Sequence, residues 1–209
     1  WTEGTGRTIT PMIRLYSTLG RALVDLEPRD EGKIGFYVCG PTVQSPPHIG
    51  HGRSAVAFDA IRRYLVWRGY DVTFVRNVTD IEDKIIEKAA EAGEDVAAFA
   101  RKMEERFRDA YRRLGVLDPD VEPRATEHIP EMHELITTLI EKGAAYQAGD
   151  DVYFSVRADE DYGKLSGRDI DEMRSGTRIE PNEAKHDPLD FALWKGAKPG
   201  EPYRDSPWG

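Results

Sequence analysis

The stretch that most constrains this chain is a turn rich in glycine and proline, residues 39–53. A strand-like run at 33–38 leads into it, with Ile34, Phe36 and Val38 alternating along one face. A helix-like run at about 52–68 follows, placing Ala57, Phe58, Ile61, Tyr64 and Leu65 on one side, and Gly69 stops it. A second strand-like run spans 72–75. Strand, turn, helix, strand is the βαβ unit of a parallel sheet. The expected fold is therefore α/β with a Rossmann-like parallel sheet. At such a turn the first N–H groups of the helix are unpaired, so phosphates collect there.

Inside the turn stands His48-Ile49-Gly50-His51. Histidines three apart on a first helical turn share a side, where they can donate hydrogen bonds to phosphate oxygens as charge develops. Gly50 has no Cβ, so a flat adenine ring can approach the backbone. A His-x-x-His pair in isolation is more often a capping or solvated pair; it could also be half of a metal site, but no second histidine cluster accompanies it. The βαβ setting selects nucleotide binding.

The tetrad resembles the HIGH signature of class I aminoacyl-tRNA synthetases. Tyr37-Val38-Cys39-Gly40-Pro41-Thr42-Val43, Pro47 with the tetrad, and Phe74-Val75-Arg76-Asn77-Val78-Thr79-Asp80-Ile81-Glu82-Asp83-Lys84 are similar to the cysteinyl-tRNA synthetase family. So are Glu122-Pro123-Arg124-Ala125-Thr126, Asp190-Phe191-Ala192-Leu193-Trp194-Lys195 and Ser206-Pro207-Trp208-Gly209. The likeness runs from about residue 13 to the last, as the amino-terminal portion of such an enzyme.

The resemblance implies ATP-dependent activation of L-cysteine to cysteinyl-adenylate and transfer to tRNA(Cys). It implies His48 and His51 as catalytic groups, and His48, Gly50, His51 and Thr42 as contacts to ATP, which arrives with Mg2+. It places cysteine or its adenylate against Gly40, Thr42, Ser54, Asn77 and Thr79. It makes Cys39 one of four zinc ligands, the other three (a Cys, a His and a Glu) being expected past Gly209. The Lys-rich KMSKS signature is missing from these residues. The 209 residues alone are thus expected to bind nucleotide weakly and turn over poorly.

The residues themselves leave some of these roles open. A lone cysteine at the mouth of a nucleotide site is a nucleophile or a soft metal ligand; elsewhere it is a small buried hydrophobe. Ser54 has an ordinary use in hydrogen bonding within a helix's first turn. Thr79 followed by Glu82 reads equally as a capping box for a helix over 81–92. Asp80, Glu82 and Asp83 are read as acids favoured by that helix start rather than as a metal cluster. Gln44 and Ser45 depart from the commonest family pattern, in the wall of the cysteine pocket.

Two alternatives stand beside the tRNA enzyme. The related cysteine ligase of mycothiol synthesis, with a sugar-amine acceptor, has Glu-Arg-Gly-Gly-Asp-Pro where this chain reads Glu183-Ala184-Lys185-His186-Asp187-Pro188. It also tends to carry Leu at the position of Ile49, so both differences favour the tRNA enzyme. The other alternative is a non-catalytic paralogue or fragment acting as a binding module.

A net charge of −9 excludes a generally basic nucleic-acid binder, though a local basic face can still meet tRNA. Residues 101–113 hold six Lys/Arg against three Asp/Glu, read as a solvated helix face. One cysteine rules out an internal disulfide framework and agrees with a reducing cytoplasm. No run of about 18 apolar residues exists to span a membrane. A monomer is expected from the resemblance, the residues being silent on oligomeric state.

Residues 1–11 carry no apolar signal-peptide core and are expected to be a flexible extension. Residues 12–117 are expected to form the first half of the nucleotide fold, and 118–209 a connective insertion, with a linker at 115–123. Helices are expected at 95–114, with Val96, Phe99, Ala100, Met103, Phe107 and Ala110 inward, and at 130–142, with Met132, Leu135, Ile136, Leu139 and Ile140 inward. Runs 13–16 and 21–26 are paired-strand candidates, and 145–147 with 152–156 a hairpin. Residues 162–190 read as extended loops, and His128, His133 and His186 as surface residues.

Overall fold

The computed structural model describes residues 12–170 and 184–209. The extension at 1–11 and Glu183, the first residue of the 183–188 comparison, fall outside the described residues. In chain order the elements are β1 (Arg14–Ser17), β2 (Ala22–Asp25), β3 (Lys33–Val38), α1 (Ile49–Trp67), β4 (Asp71–Arg76), α2 (Asp83–Ala92), α3 (Val96–Arg113), α4 (Ile129–Glu141), β5 (Ala145–Ala148), β6 (Asp151–Phe154) and β7 (Phe191–Trp194).

β3 and β4 pair in parallel from Lys33↔Asp71 to Val38↔Arg76, with α1 as the crossover. That is the expected βαβ unit. The pairing continues past both strands in a bridge between Thr42 and Thr79. Beyond β4, residues 120–125 run as a further parallel lane. Asp120 N–H donates to Phe74 O, Arg76 N–H to Val121 O, and Val78 N–H to Pro123 O. This corrects the expected linker at 115–123: residues just past 117 complete the parallel sheet instead of leaving it. Pro119 and Pro123 and a lack of alternation disguise the lane, because a lane at the sheet's edge donates few ladder bonds.

The first core gathers Val43, Val78, Ile85, Phe99, Ala100, Met103, Phe107 and Val116 between α2, α3 and the sheet. The α3 stripe is as expected at Phe99, Ala100, Met103 and Phe107, but it also buries Glu104 and Tyr111. α1 departs further. It buries Gly52, Asp59 and Leu65, while Ala57 and the expected stripe residue Tyr64 are exposed. The helix is rotated because Asp59 has partners inside: Arg63 Nε donates to Oδ2 at 2.6 Å and Leu117 N–H donates to Oδ1 at 3.1 Å.

β1 and β2 form an antiparallel hairpin as expected. The second lobe packs α4 on the antiparallel sheet β5-β6-β7. Its β5–β6 turn is the expected hairpin, with Gly149 at φ +65°, where a side chain would be strained. β7, not expected as a strand, adds the motif 190–195 to that sheet. Asp190, 2% exposed, organises the lobe by accepting hydrogen bonds from Tyr146 Oη, Val156 N–H and Asp187 N–H. Burial pushes the Tyr146 hydroxyl pKa up to about 12, and the bond to Asp190 adds to the rise. His133, expected on the surface, is half-buried between Trp194 and Trp208, with ring centroids at 4.7 and 5.6 Å. Its position on the inward side of α4, one turn from Ile136, explains the difference.

Candidate active site

The carboxyl ends of β3 and β4 and the start of α1 enclose a cleft of about 290 Å³. Cys39, Gly40, Thr42, His51 and Ser54 line it, and Arg76 and Tyr111 close it from the α3 side. Five of the expected site residues are thus brought together around one space.

The turn owes its shape to tight backbone contacts. A Cβ on Gly40 would lie 1.5 Å from the Asn77 carbonyl oxygen, so only glycine fits there. Gly40 N–H donates to Asn77 Oδ1 at 2.7 Å and Tyr37 Oη donates to the same oxygen at 2.9 Å. Val43 N–H donates to Thr79 O and Thr79 N–H to Pro41 O, both at 3.1 Å. Asn77 and Thr79 therefore hold the turn in place from β4. The expected capping box is corrected: α2 starts at Asp83 and Glu82 is its cap, accepting from Lys84 N–H. Thr79 is held back because its backbone belongs to the sheet. Asp80 also stays off the helix start, accepting from Thr126 N–H and hydroxyl.

α1 begins at Ile49, three residues before the expected start, with His48 as its cap. Gly50 N–H donates to His48 Nδ1, and His48 N–H donates to His51 Nδ1, both at 3.1 Å. A neutral imidazole carries one N–H, so an accepting Nδ1 leaves the proton on Nε2. Each ring thus caps the helix with one nitrogen and keeps a donor on the other. Capping therefore does not use up the donor capacity of either ring. The rings stack at 3.8 Å, and His51 also meets the Phe107 ring edge at 4.9 Å. Burial, with His48 beside it, lowers the His51 pKa below 6.5, which favours the neutral form that capping requires. No acid occupies the first turn of α1. Gly50 has a further reason to be glycine, because a Cβ there would press the His48 ring at 2.9 Å. Ser54, expected in the first turn, lies in the second and lines the cleft.

Cys39 is exposed on the rim, not sealed among aliphatic side chains. Among the described residues no three His, Cys, Asp or Glu side chains converge as a metal group. A four-ligand zinc therefore does not fit on these residues, of which Cys39 offers a single sulfur donor.

Four charged or polar groups near the cleft escape the sequence reading: Asp59, Arg76, Tyr111 and Glu122. Arg76 Nη2 donates to Glu122 Oε1 at 3.1 Å, and its guanidinium lies 4.8 Å from the Tyr111 ring centroid. Burial raises the Tyr111 pKa, against the nearby Arg76 charge. The signal for two of them is a charge within each of two motif blocks, 74–84 and 122–126.

No helix among the described residues is long and apolar enough to cross a membrane. The tRNA synthetases class I (C) catalytic domain family matches residues 25–209. A cysteine–tRNA ligase of Oleidesulfovibrio alaskensis is 56% identical over 198 residues, covering 94% of this chain and 41% of that protein. That of Pseudomonas entomophila is 53% identical over 199 residues, covering 95% of this chain and 43% of that protein. The chain thus spans less than half the length of the relatives it matches. Among solved structures, Mycobacterium tuberculosis methionyl-tRNA synthetase bound by methionyl-adenylate aligns over 59% of this chain and 25% of its own, with a TM-score of 0.50 and 29% identity. The Agrobacterium radiobacter K84 LeuRS–tRNA–LeuAMS complex, 23% identical with a TM-score of 0.51 over 63% of this chain and 18% of its own, shares the fold.

Proposed function

From the tRNA synthetases class I (C) catalytic domain family, to which this chain belongs, we propose that the protein activates L-cysteine with ATP and transfers it to tRNA(Cys). The observation that carries this is the cleft between β3, β4 and an α1 amino terminus capped by two histidines and free of acids. In the first step a cysteine carboxylate oxygen attacks the α-phosphorus of ATP, supplied as its Mg2+ complex. The bond from that phosphorus to the bridging oxygen breaks, giving cysteinyl-adenylate and pyrophosphate. In the second a ribose hydroxyl of the tRNA end attacks the acyl carbon and AMP leaves.

His48 and His51 act through Nε2–H, donating to phosphate oxygens as negative charge grows, while the α1 dipole favours the same charge. Adenine lies over the backbone at Gly50, and Thr42 contacts the nucleotide. Gly40, Thr42, Ser54, Asn77 and Thr79 bound the cysteine and adenylate side, Asn77 chiefly by holding Gly40. Cys39 would supply one sulfur donor to a zinc, which needs further ligands that the described residues do not bring to it. The protein acts in the cytoplasm as a monomer, and the single cysteine among these 209 residues suits a reducing compartment.

Cysteine-dependent ATP–pyrophosphate exchange by the intact protein is the test, with an acceptor assay comparing tRNA(Cys) and a sugar amine. Exchange and tRNA charging are expected. Absence of exchange, or charging of the sugar amine instead, contradicts the proposal.

A further inference from the structure

Among the described residues lining the cleft, Arg76 is the one Lys or Arg and Asp59 the one carboxylate. Asp59 is matched by Arg63 and the Leu117 N–H. Arg76 is not matched in the same way. Its guanidinium donates one hydrogen bond, from Nη2 to Glu122 Oε1. The other oxygen of Glu122 takes Nε and Nη2 of Arg108 at 3.0 and 2.6 Å. Arg108 also reaches Glu104 at 2.7 Å, and Arg124 takes both oxygens of Glu104 at 3.0 and 2.8 Å.

Three guanidinium groups therefore face two enclosed carboxylates. The acid that balances the third, Glu127, sits at the exposed end on Arg124. With Glu127 counted, three guanidinium groups and three carboxylates alternate along one balanced chain, and its cationic end is Arg76, at the cleft. Arg76 is 6% exposed, and a guanidinium does not shed its proton. With the Tyr111 ring beside it and Glu122 on one edge, its plane is set before any ligand arrives.

We propose that Arg76 is the anion-recognising side chain of this cleft, hydrogen-bonding a carboxylate or phosphate oxygen of the bound ligand, and that Glu122 is the positioning residue that aims it. The inference rests on the cleft being the adenylation site. A purely structural Arg76 would do no more than pin the 120–125 lane to α3.

Binding to the intact protein is measured by calorimetry for two ligand pairs, AMP against adenosine and L-cysteine against cysteinamide. Wild type is expected to prefer the anionic member of at least one pair by tenfold or more. Arg76→Gln should reduce that preference to within twofold, by loss of the anionic ligand's affinity and not the neutral one's. Loss in the AMP pair identifies a phosphate, loss in the cysteine pair a carboxylate. Glu122→Gln should weaken the anionic ligand a few-fold. Should Arg76→Gln not fold, the double variant Arg76→Met, Glu122→Gln removes both charges without stranding a buried carboxylate, and is read in the same way.

A folded variant that keeps both preferences in full, or a wild type with neither, overturns the assignment. Missing cysteine-dependent pyrophosphate exchange would instead refute the adenylation reading, while the AMP and cysteine preferences still decide the role of Arg76.

Discussion

The amino termini of α1 and α3 solve the same problem with different chemistry. Both helices are long, and both leave unpaired N–H groups at the start. α3 is capped by Asp95, whose Oδ2 accepts from Ala98 N–H at 2.9 Å, and α2 likewise by Glu82 with Asp83 in its first turn. These carboxylates neutralise the positive end of the helix dipole from within the chain. α1 uses two imidazoles that cap without a negative charge. The chain carries 38 Asp and Glu, so an acid-free first turn is not explained by scarcity. The lesson is that cap chemistry separates a helix end whose dipole is neutralised by its own protein from one whose dipole is not, and the proposed anion site stands at the second kind.

Gly40→Ala should break this contrast most severely, because its Cβ would overlap the Asn77 carbonyl that shapes the turn before α1. A loss of about 3 kcal/mol or more is expected in urea denaturation, as for forced overpacking. Converting one terminus into the other is the next largest test. His48→Asp gives α1 an acidic cap, so AMP affinity should fall about tenfold, or roughly 1.4 kcal/mol. Thermal stability should hold or rise, by up to about 1 kcal/mol from the dipole.

Asp95→Ala probes the other side. It should cost about 1 kcal/mol of stability and leave AMP affinity unchanged. A change in AMP affinity there would show that the two termini are not functionally distinct.

The smallest effect is on pH dependence. Folding lowers the His51 pKa below 6.5, so between the two values the unfolded chain holds the extra proton. Stability from this group is complete above pH 6.5 and is lost as pH falls from there to the folded value. His51→Asn, which can still accept at its amide oxygen, should flatten that part of the unfolding profile.

Periodic features are legible in the amino-acid sequence: the β3-α1-β4 unit, the inner face of α3 and the β5–β6 hairpin all follow from apolar spacing and turn residues. The start of α1 is not, since imidazole is outside the usual Ser, Thr, Asp and Asn caps. Residues 120–125 are hidden for a related reason, having a proline and two acids where a strand shows alternation. In the site, the tetrad and the glycine turn announce themselves locally. Arg76 and Glu122, 46 residues apart, do not, because their pairing exists only once the third lane lies beside β4. His133 shows the same limit, its two tryptophans arriving from far along the chain.

The most direct measurement is a crystal structure of the intact protein with a non-hydrolysable cysteinyl-sulfamoyl-adenosine. Adenine is expected over Gly50, with the sulfamoyl group within hydrogen-bond distance of the His48 and His51 Nε2 atoms. Density for the adenosine away from the α1 amino terminus, with both Nε2 atoms turned to protein partners, would contradict it.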